Sequence, residues 1–469
     1  MIFQSLTYLI FLTIVLAIYW SLPRRAQNVL LVGASYIFYG WEHPWYLLPL
    51  WASTLVDYGC GLGMERFPAR RRWFLVASVV ASIALLGTFK YAGFAVENIN
   101  VALTQLGCDP IRSVMRLVLP AGLSFYTFQS LAYIVDVYRG RVRAERNLLD
   151  YALYVCFFPQ LIAGPIERAW HMLPQYQSQR IFDSAGWRRG LTLMLWGFFK
   201  KLVVADNVAV VANKVFALSD PTFPVIWAGV LAFAVQIYAD FSGYTDIARG
   251  TARLLGIELM KNFNHPYLAT SPADFWRRWH ISFSTWLRDF IYIPLGGSRC
   301  GAARASFNLM ATFAISGLWH GASWNYVLWG IYWGLLILAQ RFLRWLGITR
   351  ALPWLLKVTI TLAITSIGWL LFRERNLAQV MYDLSRSPFA AGFGQWQIGG
   401  YLAVLVLLYS IPLMIHLIAT VLVLPRVRAR IALPELAAFA VQTATAVVLL
   451  FGIIIARSVV TSDFIYFQF

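Results

Sequence analysis

The fold class is decided by stretches such as residues 401–424, YLAVLVLLYSIPLMIHLIATVLVL, in which no aspartate, glutamate, lysine or arginine occurs. A second stretch of this kind, AAFAVQTATAVVLLFGIIIA, occupies residues 437–456. A helix of about 20 apolar residues is long enough to cross the hydrocarbon core of a bilayer. Both stretches therefore predict membrane-spanning helices.

The composition of the whole chain agrees with this prediction. Of its 469 residues, 59% are hydrophobic and only 13% are charged, and the mean hydropathy is +0.63. Soluble globular proteins contain about 25% charged residues. The composition excludes a disordered chain, a collagen, a disulfide scaffold and an ordinary soluble enzyme, and it indicates an all-α integral membrane protein.

Other apolar runs occur along most of the chain. They occupy roughly residues 2–20, 28–40, 46–62, 73–95, 117–138, 151–165, 190–215, 223–241, 307–322, 326–346 and 354–372. Several are shorter than the 17–25 residues that a span needs, so we expect some to be re-entrant, interfacial or paired. We predict about eleven crossings in a single domain, 1–469, because the chain has no evident repeat or linker.

The charge distribution predicts the orientation in the membrane. The chain carries 39 Lys and Arg against 21 Asp and Glu, a net charge of +18, and many of its arginines cluster between apolar runs, at 66–72, 139–146 and 426–430. Cytoplasmic loops of membrane proteins carry such an excess, so nucleic-acid binding is not indicated. With these clusters in the cytoplasm, we expect the N-terminus and the C-terminal tail to be extracytoplasmic.

Residues 244–299 break the spanning pattern, because they contain no long apolar run although they are rich in aromatic and charged side chains. Ser271-Pro272 predicts a helix start, with Asp274 one turn from Arg278. Charged groups at this depth normally face a protein interior or a wet cavity. We therefore predict a non-spanning stretch that lines a cavity.

The six histidines are the first candidates for chemistry, because ionisable groups in a membrane domain are costly. We expect packing or interfacial roles for His43, His171 and His416, and loop anchoring for His265. His320 lies beside glycines, and His280, if helical, would be flanked by Trp276 and Ser284 on one face. Either imidazole could act as a general base or as a structural polar contact.

Other motifs narrow the class of protein. The chain contains no G-x-S-x-G, P-loop, H-E-x-x-H or dinucleotide fingerprint. Its four cysteines are scattered singly, so neither zinc nor a disulfide framework is indicated. Asp240 and Asp246 could bind a cation, but pairing with arginine is the better prediction. We expect no metal site.

Two motifs, WRRWHIS at 276–282 and GLWHG at 317–321, together resemble those of the membrane-bound O-acyltransferase family. Supporting stretches are LSFYTF at 123–128, DVYRG at 136–140, LIAGP at 161–165, FFKK at 198–201 and DFSGY at 240–244. They define a family-like core at about 120–330. The similarity is greatest to the bacterial branch that includes alginate O-acetylation and teichoic-acid D-alanyl transfer proteins.

This resemblance implies a central tunnel, with His320 as the catalytic histidine and His280 as the second tunnel position. It also implies a cytosolic acyl thioester donor, acetyl-CoA or an acyl carrier protein, as co-substrate without a bound cofactor. Around the two histidines we expect the tunnel to be lined by Trp276, Arg277, Trp279, Ser284 and Trp319. Arg277 and Trp319 are the candidates for stabilising the oxyanion.

The C-terminal residues 464–469, FIYFQF, resemble an aromatic motif of the same bacterial branch. The resemblance implies that Tyr466 relays the acyl group to an extracytoplasmic SGNH-type acetyltransferase, which O-acetylates a polysaccharide at the bacterial inner membrane. Alternatively, the tail is an aromatic belt in contact with membrane lipid. For the chain as a whole, D-alanyl or lipid acyl transfer and a non-catalytic conduit or exporter remain the alternatives.

Overall fold

A computed structural model describes residues 1–111, 118–348, 352–374, 376–423 and 435–465, and these residues form helices and connections without a β-strand. The α-helices are α1 (Leu6–Tyr19), α2 (Arg24–Gly40), α3 (Leu47–Arg66), α4 (Arg71–Leu86), α5 (Ala92–Gln105), α6 (Leu123–Tyr138), α7 (Leu148–Cys156), α8 (Phe158–Leu161), α9 (Ala169–Gln177), α10 (Ser184–Phe199), α11 (Asp206–Phe216), α12 (Phe223–Leu254), α13 (Pro272–Arg278), α14 (Ile281–Leu287), α15 (Ala302–His320), α16 (Trp324–Trp345), α17 (Trp354–Arg373), α18 (Leu377–Ser385), α19 (Phe393–Ile418) and α20 (Glu435–Ala456). Shorter helical segments are 3-10 turns at Pro44–Tyr46, Pro68–Arg70, Pro266–Leu268 and Pro388–Ala390 and π-helical turns at Gly87–Tyr91, Lys200–Ala205, Arg288–Tyr292 and Ala419–Val423.

Six helical stretches in the described part of the chain are long and apolar enough to cross a membrane. They are Pro68–Gln105, Phe223–Leu254, Trp324–Trp345, Trp354–Arg373, Phe393–Val421 and Glu435–Ala456. These stretches confirm an all-helical, multi-pass architecture. The count of about eleven crossings stays a prediction, and the arginine cluster at 426–430 lies outside the described residues.

Helix α12 is the longest helix in the described part of the chain and is mostly buried. The apolar run at 223–241 predicted a shorter helix, whereas α12 continues to Leu254 through two carboxylates. It can do so because Lys201 lies 3.0 Å from Asp240 and Lys200 lies 2.7 Å from Asp246. Both carboxylates are therefore paired, as predicted, but mainly with lysines; the predicted arginine partner is present only at Asp246, where Arg249 lies 3.4 Å away.

Glycines bring α12 close to the neighbouring helical run, formed by α10, the π-helical turn and α11. A Cβ atom on Gly197 would lie 2.6 Å from the Gly243 carbonyl oxygen, and one on Gly243 would lie 2.9 Å from the Gly197 oxygen. Small residues allow such backbone approach between membrane helices. This approach places the lysines of one helical run against the carboxylates of the other.

The non-spanning stretch was predicted at 244–299, but residues 244–254 belong to α12. Residues 255–299 contain only short helices, as predicted. Helix α13 begins where expected: the Ser271 hydroxyl accepts a hydrogen bond from the Asp274 backbone N–H at 3.2 Å. The predicted ion pair is also present, with Arg278 Nε 3.0 Å from the Asp274 carboxylate. The stretch packs its aromatic side chains inward, and Phe275 stacks on Trp333 with 5.0 Å between ring centroids.

Candidate active site

His320 is the last residue of α15, where that helix meets α16. The helices are close here, since a Cβ atom on Gly317 would lie 2.0 Å from the Tyr326 carbonyl oxygen. The His320 imidazole is buried among aromatic rings, 5.0 Å from Trp329 and 5.3 Å from Phe372 between centroids. Tight helix packing therefore fixes this side chain in a largely apolar pocket.

His280 lies between α13 and α14 rather than within a helix. Its backbone adopts the left-handed conformation, with φ of 43° and ψ of 56°, which costs a non-glycine residue about 1–3 kcal/mol. Neighbouring backbone bonds hold it: the Ile281 N–H donates to the Asn262 carbonyl at 2.9 Å, and the His280 carbonyl accepts from the Ser284 N–H at 2.9 Å. Backbone strain of this kind clusters at functional sites.

The expectation that Trp276 and Ser284 flank His280 on one helical face is wrong. The chain turns at His280, and the Ser284 hydroxyl donates to the carbonyl of Trp279 at 3.1 Å. Trp276 packs instead against Trp329, 5.6 Å away between ring centroids. Ser284 therefore stabilises the turn at His280, and Trp276 packs in the core beside it.

The two histidines converge on one pair of aromatic rings, although they are far apart in the sequence. His280 lies 5.1 Å from Phe283 and 5.9 Å from Trp319 between ring centroids. His320 lies 5.7 Å from Phe283 and 4.8 Å from Trp319. The pairing of His280 and His320 in one site is therefore a feature of the fold.

The other predicted tunnel residues divide into two groups. Trp319 lies between the histidines, and Trp279 is buried, 5.0 Å from Phe263 between ring centroids. Arg277, by contrast, is 71% exposed in its side chain and pairs with Asp274 at 3.4 Å. It lines a separate cavity of about 580 Å³ that neither histidine lines.

A cavity of about 280 Å³ reaches His320 from the side of the α2–α3 connection. Glu42, His43, Lys90 and Trp319 also line it. The Lys90 ammonium group donates a hydrogen bond to the Trp319 carbonyl oxygen at the end of α15, where a cation complements the helix dipole. Lys90 was not identified from the sequence; its only signal is a single lysine within the apolar run 73–95.

A second cavity, of about 550 Å³, is lined by basic and aromatic side chains between α10, α12 and α19. Its basic members are Lys200, Arg249, Lys261, His265 and His416. The lining residue Phe263 contacts Phe241 at 5.1 Å, and Phe241 lies 4.7 Å from His280 between ring centroids. Two aromatic rings thus connect this cavity to the site.

The C-terminal tail approaches the same site. Phe464 and Ile465 are 3% and 1% exposed. The Phe464 ring lies 4.6 Å from Tyr244 and 5.9 Å from Phe241, the ring that also contacts His280. The described chain therefore ends in the core beside the histidine site, whereas Tyr466 itself lies outside the described residues.

Of the remaining histidines, His43 lines the cavity that reaches His320, and His265 and His416 line the second cavity. His171 forms a hydrogen bond with Glu167 at 2.9 Å, and this bond raises the pKa of the imidazole. His416 packs on Trp196 at 4.7 Å, and His265 is the left-handed residue before a 3-10 turn. No group of three or more metal-ligating side chains occurs in the part of the chain that the structure describes.

The described chain thus combines candidate membrane-spanning helices with two histidines that are buried at one aromatic site, one of which lines a cavity. The chain belongs to the membrane-bound O-acyltransferase (MBOAT) family, whose model matches residues 141–372. It is therefore an O-acyltransferase.

Three relatives illustrate the range of the family. The chain is 42% identical to "Probable alginate O-acetylase AlgI" of Pseudomonas aeruginosa over 404 residues, which cover 85% of this chain and 76% of the relative. It is 35% identical to "Peptidoglycan O-acetyltransferase" of Helicobacter pylori over 77% of this chain and 75% of the relative. It is 25% identical to "Teichoic acid D-alanyltransferase" of Bacillus subtilis over 70% of this chain and 83% of the relative.

Proposed function

We propose that this protein passes an acetyl or similarly small acyl group from a cytosolic thioester across the membrane, for O-acetylation of an extracytoplasmic polysaccharide. His320 acts as the catalytic base and His280 supports it. The observation that carries this proposal is the convergence of both imidazoles on Phe283 and Trp319 within one buried site.

The tail supports an acyl relay through Tyr466. Ile465 directly precedes Tyr466 and is buried. Its backbone N–H donates to the Asp240 carboxylate at 2.8 Å. A purely lipid-facing aromatic belt would not require Phe464 and Ile465 to be buried in protein.

The relay consists of two balanced transfers. In the first, His320 takes the phenolic proton of Tyr466 as the oxygen attacks the thioester carbonyl; the C–S bond breaks, and the proton leaves with the thiol. In the second, an acceptor hydroxyl attacks the tyrosyl ester and the phenol is restored. Neither transfer requires a bound cofactor.

Of the two residues suggested for the oxyanion, the geometry favours Trp319. It contacts both imidazoles, whereas Arg277 is exposed and pairs with Asp274. Lys90 is a further candidate, because it lines the His320 cavity and bonds to the end of the same helix. A preformed positive charge near a developing oxyanion stabilises it.

The acceptor and the orientation follow from the relatives and the charges. Relatives named for alginate and peptidoglycan O-acetylation are more similar to this chain than the one named for D-alanyl transfer. This order favours acetyl transfer to a glycan over D-alanyl or lipid acyl transfer. We place the protein in the bacterial inner membrane with both termini outside, where an SGNH-type acetyltransferase takes the acyl group onward to the polysaccharide.

Two donors fit this arrangement. Acetyl-CoA and an acyl carrier protein are both anionic, and the cavity lined by Lys200, Arg249 and Lys261 keeps an excess of positive charge although Asp246 pairs with the first two. Membrane lipid surrounds the exposed apolar faces of the helices. Nothing in the proposal involves nucleic acid.

The test is to measure O-acetylation of the polymer in cells that carry His320→Ala, His280→Ala or Tyr466→Phe, each present at the wild-type membrane level. Removing a general base costs about 10²–10⁴-fold in rate, so His320→Ala should abolish detectable acetylation. The control is His171→Gln, which alters a histidine outside the site. Normal acetylation in His320→Ala would exclude this mechanism and leave the conduit.

A further inference from the structure

A buried cluster of charges lies where the tail enters the core. The Lys201 ammonium group is 2.9 Å from the Asp206 carboxylate and 3.0 Å from that of Asp240. All three side chains are at most 4% exposed. One positive charge therefore faces two negative charges in an environment where unbalanced charge is costly.

The tail supplies the missing partners of this cluster. The backbone N–H of Ile465 donates to Asp240 at 2.8 Å, which adds a hydrogen bond to the carboxylate in excess. The backbone carbonyl of Ser462 accepts from the Lys201 ammonium group at 2.8 Å. Hydrogen bonds to charged groups are about twice as strong as those between neutral groups.

Further contacts show the path of the tail. The Ala456 carbonyl, at the end of α20, accepts from the Asn207 side chain at 3.0 Å. The Ser458 N–H donates to the Leu202 carbonyl at 3.0 Å. The tail then runs from Asn207 on α11, past Lys201 in the π-helical turn, to Asp240 on α12. The tail therefore contacts α12, the π-helical turn Lys200–Ala205 and α11.

The adjacent lysine provides a matched comparison. Lys200 is also buried and ion-paired, at 2.7 Å from Asp246 and 3.0 Å from the Ser242 hydroxyl. Its hydrogen bonds and its ion pair lie on α12, and none of them involves the described part of the tail. The two consecutive lysines therefore have different partners. Lys200 connects its helical run to α12, and Lys201 also binds the tail.

We propose that Lys201 and Asp240 form a receptor that holds the tail 457–465 at a fixed depth, which makes them positioning residues for acyl transfer. The inference rests on the proposed relay, because the depth of the tail matters for acyl transfer only if Tyr466 carries the acyl group. The receptor contacts backbone atoms of Ser462 and Ile465, and the Phe464 ring adds a side-chain contact with Tyr244.

Docking of the tail is measured first, without reference to activity. Ser462→Cys is introduced into the full chain after its four native cysteines are replaced, and the purified protein in detergent is labelled with a maleimide. Lys201→Met and Asp240→Asn should speed labelling by about tenfold or more, since a lost charged hydrogen bond corresponds to at least such a factor. Lys200→Met and Asp246→Asn are the controls and should label at the parent rate.

Two milder substitutions distinguish loss of tail docking from misfolding of the protein. Lys201→Arg keeps the charge and the donors and should restore slow labelling. Phe464→Ala leaves the charges intact and removes the ring that packs on Tyr244, so it should speed labelling in a protein with an unchanged elution profile. Equal labelling of the Lys201→Met, Phe464→Ala and parent proteins would overturn the receptor.

Acyl transfer is measured next in the same variants without the Ser462 substitution. Lys201→Met and Asp240→Asn should lose transfer while Lys201→Arg retains it. If the tail undocks in Lys201→Met but transfer stays at the parent rate, the positioning role is overturned. If Tyr466→Phe keeps full transfer, the relay fails, and the labelling result still decides whether the receptor exists.

Discussion

Gly317→Ala tests whether close helix packing sets the position of the His320 imidazole, the proposed catalytic base. A Cβ atom on Gly317 would lie 2.0 Å from the Tyr326 carbonyl oxygen, so α15 and α16 must separate by about 1 Å to accept it. His320 is one turn further along α15. A displacement of about 1 Å at a reacting group can lower a rate by roughly 100-fold, and such overpacking costs about 1–3 kcal/mol of stability.

The assay compares acyl transfer per unit of membrane-inserted protein for Gly317→Ala and Gly301→Ala. Gly301 precedes the same helix, and a Cβ atom there would meet nothing within 4 Å. We expect a loss near 100-fold in the first variant and near-normal transfer in the second. Equal rates in the two variants, at equal protein levels, would refute the link between helix packing and the imidazole position.

Three further predictions follow from single contacts. Lys90→Met should lower transfer at least about tenfold, because a charged hydrogen bond to the Trp319 carbonyl is lost, and Lys90→Arg should recover part of it; unchanged transfer in Lys90→Met at equal protein level would contradict this. Arg277→Ala should change stability by less than about 0.5 kcal/mol and leave transfer near normal, since the side chain is exposed; a large loss of transfer would reinstate Arg277 at the site. Glu167 raises the pKa of His171, so the pair should stabilise the fold fully below the ordinary imidazole pKa and lose that contribution as pH rises through the raised value. The melting-temperature difference between wild type and His171→Gln should therefore shrink as the pH is raised. A difference that grows with pH would contradict a raised pKa of His171.

Local signals in the sequence predicted local structure well. The start of α13 at Ser271-Pro272 and the Asp274–Arg278 pair were both predicted, because a helix cap and an i,i+4 ion pair depend only on neighbours in the chain. The long apolar runs likewise located α19 and α20. Their length and hydrophobicity alone make them candidates for crossing a membrane.

Features that depend on distant partners were missed. The turn at His280 is held in part by Asn262, so reading the motif as one continuous helix was wrong. The length of α12 was underestimated because its carboxylates find lysines on another helix. Lys90 bonds to a carbonyl 229 residues away, and a lone lysine in an apolar run is ordinarily read as a side chain reaching for the interface.

The tail illustrates both cases. Its aromatic motif was noted from the sequence, and the charge pattern predicted its side of the membrane. Its burial against Phe241 and its bonds to Lys201 and Asp240 could not be anticipated, because they arise from the packing of α10, α12 and the chain end.

The central claim is that an acyl group rests on Tyr466 during transfer. The most direct measurement incubates the purified protein with a radiolabelled acetyl thioester, without acceptor, and locates the label by mass spectrometry of the C-terminal peptide. We expect an ester on Tyr466 in the wild type. This ester should be absent from His320→Ala and should be discharged when acceptor is added. Transfer of label to acceptor by the wild type, with no ester at Tyr466 at any time and full activity in Tyr466→Phe, would contradict it.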